Sequence, residues 1–277
     1  TCVVTQLSME RVRQLKELVQ NYKGPVSAAV FIRYKDFKND AFKTLKKFYL
    51  ESEYFRKFAD IHVIYDDNQS PFHDYDGNDK FFYPIQFLRN VALKNARCKD
   101  WILYLESDML LSRNGGAKIK KHISELAKRY KNEMPQAFIL PLFFPSKRKD
   151  PVIPENKKSL EENGFNADAT YDSHKFMNYS YWINHASEFL EAKIKWKHEP
   201  YFVVRRKHVR LYDSRVSCHQ DKVSQVHVSA QRSSLEFSIF PDVFLVNLER
   251  RSIEKKFNRR GPSYCDFSRE NSAQSAL

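Results

Sequence analysis

Apolar residues along this chain fall into two alternating rhythms. One is the short unbroken run: TCVVTQL at 1–7, VSAAVFIR at 26–33, IHVIYDD at 61–67, WILYLES at 101–107 and AFILPLFF at 137–144. Runs of this length, rich in β-branched and aromatic residues, predict strands, with TCVVTQL and WILYLES reading as buried ones. The other rhythm is helical. Val12, Leu15, Leu18 and Val19 recur at spacings of three and four after Ser8, a residue suited to an N-cap; Glu10 lies in the first turn, and Gly24-Pro25 ends the pattern. A mixed helical stretch covers about 36–58, YPIQFLRNVALKNA at 83–96 returns to helical spacing, and a further helix is predicted near 115–130. Strand and helix in alternation predict βαβ units and so an α/β fold.

The second half is less regular. From 145 to about 175 the chain is rich in Lys, Pro, Asn and Asp, which predicts an excursion over the surface, as does the polar stretch 68–80. Beyond it come YSYWINHASEFLEA, a strand YFVVRR at 201–206, a helix from His219 to Ala230, and two short strands, EFSIF and VFLVN. There is no internal repeat. With 277 residues, 42% of them hydrophobic, the chain can bury the core of one large α/β domain or two small ones.

Composition narrows the chemistry. Only 6 glycines are present, and neither GxGxxG nor GxxxxGK[ST] occurs, so glycine-rich phosphate loops are excluded. The net charge of +13 attracts anions over long range, but Lys147-Arg148-Lys149, Arg205-Arg206-Lys207 and Arg259-Arg260 read first as solvated surface. No nucleic-acid-binding motif accompanies them, and no nucleic-acid partner is expected. Cys2, Cys98, Cys218 and Cys265 lie far apart without zinc-ligand spacing; their even number permits disulfides without fixing a pairing. The sequons at Asn68 and Asn178 fit a secretory-pathway protein weakly. No apolar run approaches the ~20 residues of a membrane span, and the chain opens directly on a strand-like segment, so any anchor or targeting segment is expected to lie outside this sequence.

The candidate chemistry begins where WILYL runs into Glu106-Ser107-Asp108. Ligands of parallel α/β sheets collect at the carboxyl ends of strands. Two acids separated by one residue at such an end can converge on Mn²⁺ or Mg²⁺, which prefer oxygen ligands. Such an ion would neutralise a diphosphate leaving group. A strand ending in solvated acids would look the same at this level.

Longer blocks carry a resemblance. VTQLSMERVRQL, FYPIQFLRNVALKNA followed by WILYLESDMLLS, HKFMNYSYW at 174–182, HEPYFVVRR at 198–206 and EFSIFPDVFLVN at 236–247 occur in the order seen in the LARGE-type glycosyltransferases, glycosyltransferase family 49. The chain resembles that family over nearly its whole length. The resemblance implies a GT-A fold with a central mixed, mostly parallel sheet flanked by helices, in one domain over 1–277. About 1–150 would bind the nucleotide-sugar and about 151–277 the acceptor. It further implies a UDP-sugar donor, a glycan acceptor, a manganese-type site, inversion at the anomeric carbon, and residence in the Golgi lumen behind a type II anchor.

Carried over residue by residue, the family's DxD falls on Glu106, Ser107 and Asp108, with Glu in place of the first Asp. Arg89 and Asn90 would lie beside the nucleotide or its phosphates, and Thr5 and Gln6 at its uridine edge, although a helix face and a plain strand terminus account for these four as well. The position where the family carries a metal-binding His is Asn247, a weaker ligand for Mn²⁺ than imidazole. The family's glycine-rich turn is replaced by Ser217-Cys218-His219-Gln220-Asp221-Lys222. For the base that deprotonates the acceptor hydroxyl, Asp221 is favoured, with Glu199 and Asp213 as alternatives. His174, Asn178 and Trp182 match a family stretch facing substrate, although Trp182 reads equally as core. Arg89 and the pair Arg205-Arg206 are candidate partners for a donor carboxylate, which tilts the expected donor toward glucuronate over xylose. A weakened homologue that binds a sugar nucleotide, glycan or partner enzyme without efficient turnover is the alternative.

Overall fold

The computed structural model describes residues 1–33, 40–65, 83–129, 136–146, 152–167, 177–194, 200–212 and 235–247. In chain order the elements are β1 (Cys2–Ser8), α1 (Val12–Tyr22), β2 (Val26–Ile32), α2 (Ala41–Glu51), α3 (Glu53–Phe58), β3 (Ala59–Tyr65), α4 (Ile85–Lys94), β4 (Trp101–Tyr104), β5 (Met109–Leu111) and α5 (Gly115–Arg129). There follow β6 (Gln136–Leu140), β7 (Leu142–Pro145), α6 (Lys157–Glu162), β8 (Phe165–Ala167), α7 (Tyr179–His185), β9 (Leu190–Ala192), β10 (Tyr201–Arg205), β11 (Glu236–Ile239) and β12 (Leu245–Asn247).

Eight strands form one mixed sheet in the order β3-β2-β1-β4-β10-β6-β11-β9, and β5-β12-β7-β8 form a second. In the large sheet β3, β2, β1 and β4 are mutually parallel, and β10 lies antiparallel between β4 and β6. For β1 and β2 the continuous apolar runs have a direct cause in burial on both faces, whereas β3, at the sheet edge, is mostly half-buried. Val3, Leu7, Ala28, Val30 and Leu103 pack on one side with Val12, Leu15 and Leu18 of α1. Cys2, Val4, Ala29, Phe31 and Ile102 pack on the other with Leu88, Ala92 and Leu93 of α4. Alternate residues of one strand thus feed two cores.

Local details differ from the expected pattern in places. Ser8 makes no side-chain cap; a 3₁₀ turn, Met9–Arg11, intervenes before α1, which ends at Lys23 in the left-handed region (φ 52°) rather than at Gly24. The mixed stretch resolves into α2 and α3, with Ser52 accepting from Phe55 N as the N-cap of α3. The run AFILPLFF is two strands in two sheets: Pro141 has no N–H to give a ladder, so β6 ends before it and β7 leaves for the second sheet. The stretch expected as a surface excursion contains α6 and β8.

Two features stiffen the opposite, amino edge of the sheet. Cys2 and Cys98 form a disulfide across 96 residues, tying the start of β1 to the segment between α4 and β4. Arg206 then donates to the carbonyls of Leu93, Lys94, Ala96 and Cys98, satisfying the C-terminal end of α4. Among the described residues no helix is long and apolar enough to cross a membrane.

Candidate active site

The site is built on a tight turn. Met109 N donates to Glu106 O at 3.1 Å, so the chain reverses at Glu106-Ser107-Asp108 as it passes from β4 in the large sheet to β5 in the small one. Ser107 is buried inside the turn, leaving both carboxylates at the carboxyl edge of the sheet.

Glu106 is held from two directions. Arg89, on α4, donates from Nη2 to Glu106 Oε1 at 2.8 Å, and Gln6, near the end of β1, donates from Nε2 to Oε2 at 2.9 Å. Arg89 is only 3% exposed. Burial opposes its charge, but Glu106 foremost, with Tyr212 and Tyr104, outweighs that and raises the pKa of Arg89. Gln86 Oε1 accepts a further hydrogen bond from Arg89 at 3.2 Å, and the ring of Tyr212 lies 5.2 Å beneath the guanidinium. Tyr83 donates its hydroxyl to Gln6 Oε1. Burial, with the Glu106 charge second, drives the Tyr83 phenol well above its usual range, so it serves as a donor.

Asp108 is less satisfied. Asn247, brought to it by the antiparallel pairing of β12 with β5, donates from Nδ2 to Oδ2 at 3.2 Å. Arg11 Nη1 lies 3.8 Å from the same oxygen. Oδ1 is buried and has no hydrogen-bond partner. Burial and the neighbouring Glu106 charge raise the pKa of Asp108. A buried, orphaned carboxylate oxygen beside a second carboxylate and an amide is a donor set suited to a hard divalent cation. Among the described residues no group of three or more His, Cys, Asp or Glu side chains converges. Such a cation would therefore rest mainly on Asp108, with Asn247 beside it, because Glu106 already accepts at both oxygens.

Below this network lies a cavity of about 50 Å³ bordered by Thr5, Tyr104, Tyr201, Phe202 and Tyr212. The buried hydroxyls of Thr5 and Tyr104 have no partner. The space can hold a few waters.

The structure gathers Gln6, Arg89, Glu106, Asp108 and Asn247, with Thr5 at the cavity wall. It gives other expected site residues different work. Asn90 does not face the carboxylates: its amide clamps the backbone of Tyr212 in both directions at 2.7 Å. Trp182 is fully buried between Phe143 and Phe244 and donates to Phe240 O at 2.7 Å, so it is core. Asn178 caps α7 by accepting from Tyr181 N at 3.0 Å. Arg205 pairs with Trp101 at the start of β4 and stacks over its ring at 4.7 Å. Trp101 and Leu105 are four residues apart, so Arg205 sits roughly 13 Å along the strand from the carboxylate end. The reason is that β10 runs antiparallel to β4. Asp221, Glu199, Asp213 and His174 lie outside the described residues. Arg11, Tyr83, Gln86 and Tyr212 are site neighbours that sequence reasoning missed; Arg11, three residues past the Gln6-bearing strand, had a signal in its closeness to β1, and Tyr83 and Gln86 in their place within the block that carries Arg89.

A mixed, mostly parallel sheet with an acidic turn at its carboxyl edge, and one antiparallel strand set beside the turn-bearing strand, is a GT-A type fold, the architecture of a class of glycosyltransferases. The chain belongs to the family described as glycosyl-transferase for dystroglycan, whose model matches residues 1–76 and 68–256. Relatives include the glycosyltransferase-like protein LARGE of Caenorhabditis elegans, 28% identical over 95% of this chain and 40% of its own length. The glycosyltransferase-like protein gnt14 of Dictyostelium discoideum is 25% identical over 89% of this chain and 36% of its own. The xylosyl- and glucuronyltransferase LARGE2 of Rattus norvegicus is 24% identical over 95% and 36%. The chain thus spans well under half the length of these relatives.

Proposed function

We propose that this chain transfers glucuronate or xylose from a UDP-sugar to a glycan acceptor with inversion, assisted by Mn²⁺ or Mg²⁺. The observation that carries the reading is the convergence on one turn of Glu106, Asp108 and Asn247, with Asp108 Oδ1 buried and without a partner. Asp108 and Asn247 would hold the cation, which when bound would offset the charge of the departing diphosphate. The Arg89–Glu106–Gln6 network fixes the turn and the end of β1, so that the edge facing the donor is preorganised. Asp221 remains the proposed base, with Glu199 as alternate. That the rat relative is a xylosyl- and glucuronyltransferase supports xylose and glucuronate as donors. The arginines no longer favour one over the other, since Arg205 lies at the far end of β4 and Arg89 is committed to Glu106. Residence in the Golgi lumen is part of the proposal; a disulfide between Cys2 and Cys98 fits an oxidising compartment.

A second reading has its own observation. Glu106 accepts at both oxygens from the protein itself, and Asn247 turns its NH₂ group, not its oxygen, toward Asp108. This is the arrangement of a site with reduced metal affinity, and it favours a sugar-nucleotide or glycan binder with slow turnover. Release of UDP from a panel of UDP-sugars, with and without Mn²⁺, decides between them. Transfer that requires Mn²⁺ and is lost in Asp108→Ala supports the enzyme. UDP binding without turnover supports the second reading, and no UDP binding with or without Mn²⁺ defeats the enzyme and the sugar-nucleotide form of the second reading together.

A further inference from the structure

We propose that Arg11 is an exchangeable counter-ion of Asp108: a divalent cation taking that carboxylate releases Arg11 to the diphosphate of the donor. The inference rests on the donor reading above and adds a residue and an order of events to it. Arg11 belongs to the 3₁₀ turn that follows β1, and its Nη1 stands 3.8 Å from Asp108 Oδ2. That separation exceeds a hydrogen bond, so the attraction is electrostatic and loosely held. The Arg11 side chain is 32% exposed against 12% for Asp108, so the guanidinium has freedom to move while the carboxylate does not. The adjacent acid, Glu10, reaches Arg33 at 3.9 Å.

The second arginine near the turn behaves differently. Arg89 has a side chain 4% exposed and is held by Glu106, Gln86 and the face of Tyr212. It cannot leave without uncovering a buried charge. Arg11 is therefore the mobile cation of the pair. Two cations competing for one carboxylate weaken each other's hold, because their mutual repulsion acts at the same short range as the attraction. A guanidinium displaced from Asp108 remains beside the site, and its planar fork matches phosphate oxygens.

The exchange predicts effects of opposite sign from one substitution, which a merely structural role would not produce. Calorimetric titration of the whole chain with Mn²⁺ alone should show Arg11→Gln binding the ion roughly threefold more tightly, since its competitor is gone. Titration with UDP at saturating Mn²⁺ should show the same variant binding about tenfold more weakly. Arg11→Lys, which keeps the charge, should match the wild type for Mn²⁺ and fall between for UDP. Unchanged Mn²⁺ affinity in Arg11→Gln, or weakening of both ligands together, overturns the exchange even when the wild type binds UDP normally. Failure of the wild type to bind UDP with Mn²⁺ instead defeats the donor reading and the phosphate half of this proposal with it.

Discussion

Replacing Arg89 by Met tests whether the turn is held by a buried charge pair. Methionine fills much of the same volume without charge, so packing changes little while the ion pair is lost. Arg89 Nη2 and Glu106 Oε1 are 2.8 Å apart, with side chains 4% and 17% exposed. Breaking a buried pair by removing one partner costs about 3–5 kcal/mol. The partial exposure of Glu106 argues for the lower figure, and the lost contact with the Tyr212 ring adds roughly 0.5–1 kcal/mol. A loss of about 3–4 kcal/mol is expected, lowering Tm by roughly 6–16 °C for a chain of this size. Glu106→Gln should cost a similar amount, since it strands the buried guanidinium. The double variant should cost about 2 kcal/mol less than the sum of the singles, because neither charge is then left behind. Urea unfolding followed by far-UV circular dichroism gives all three values. Additive effects, with each single change below about 1 kcal/mol, would show a solvent-screened pair and refute the account of how the turn is fixed.

Four further outcomes are expected. Burial and the Glu106 charge raise the folded-state pKa of Asp108 above its ordinary 3.8, so the folded protein binds this proton more readily than the unfolded chain, and Asp108 costs stability as pH rises through that raised value. In a chelating buffer Asp108→Asn should therefore raise Tm at neutral pH and lose the advantage below the ordinary carboxyl range; a lower Tm than wild type at neutral pH contradicts this. Replacing Cys2 and Cys98 together by Ser should remove about 2–5 kcal/mol, as expected for a crosslink closing so long a loop, and an unchanged melting curve would rule that out. Arg205→Ala should leave UDP affinity within about twofold of wild type, whereas Trp182→Phe should cost roughly 1–3 kcal/mol by orphaning the Phe240 carbonyl, with donor affinity unmoved. A selective loss of UDP binding in either variant would return that residue to the site.

Burial imprints a pattern on neighbouring residues, and that pattern can be read along the chain. β1, β2 and β4 were legible because strands covered on both faces must be apolar throughout, and α1 because one stripe at helical spacing must face the core. The acidic turn was legible for the same reason, two carboxylates standing out at the end of a buried run. Direction and partnership leave no such imprint. YFVVRR reads identically whichever way it is inserted, and only its antiparallel pairing with β4 carries Arg205 and Arg206 away from the carboxylates. An aromatic residue looks alike in a core and in a sugar site, so Trp182 was decided by the Phe240 carbonyl and the rings around it. Asn247 and Asp108 are 139 residues apart, and Gln6 and Glu106 are 100 apart. The resemblance could align these residues with one site. Their contacts, and the choice of Arg11 over Arg205 as the cation beside it, depend on strand order and register, which tertiary packing sets because each strand pairs with residues far away in the chain.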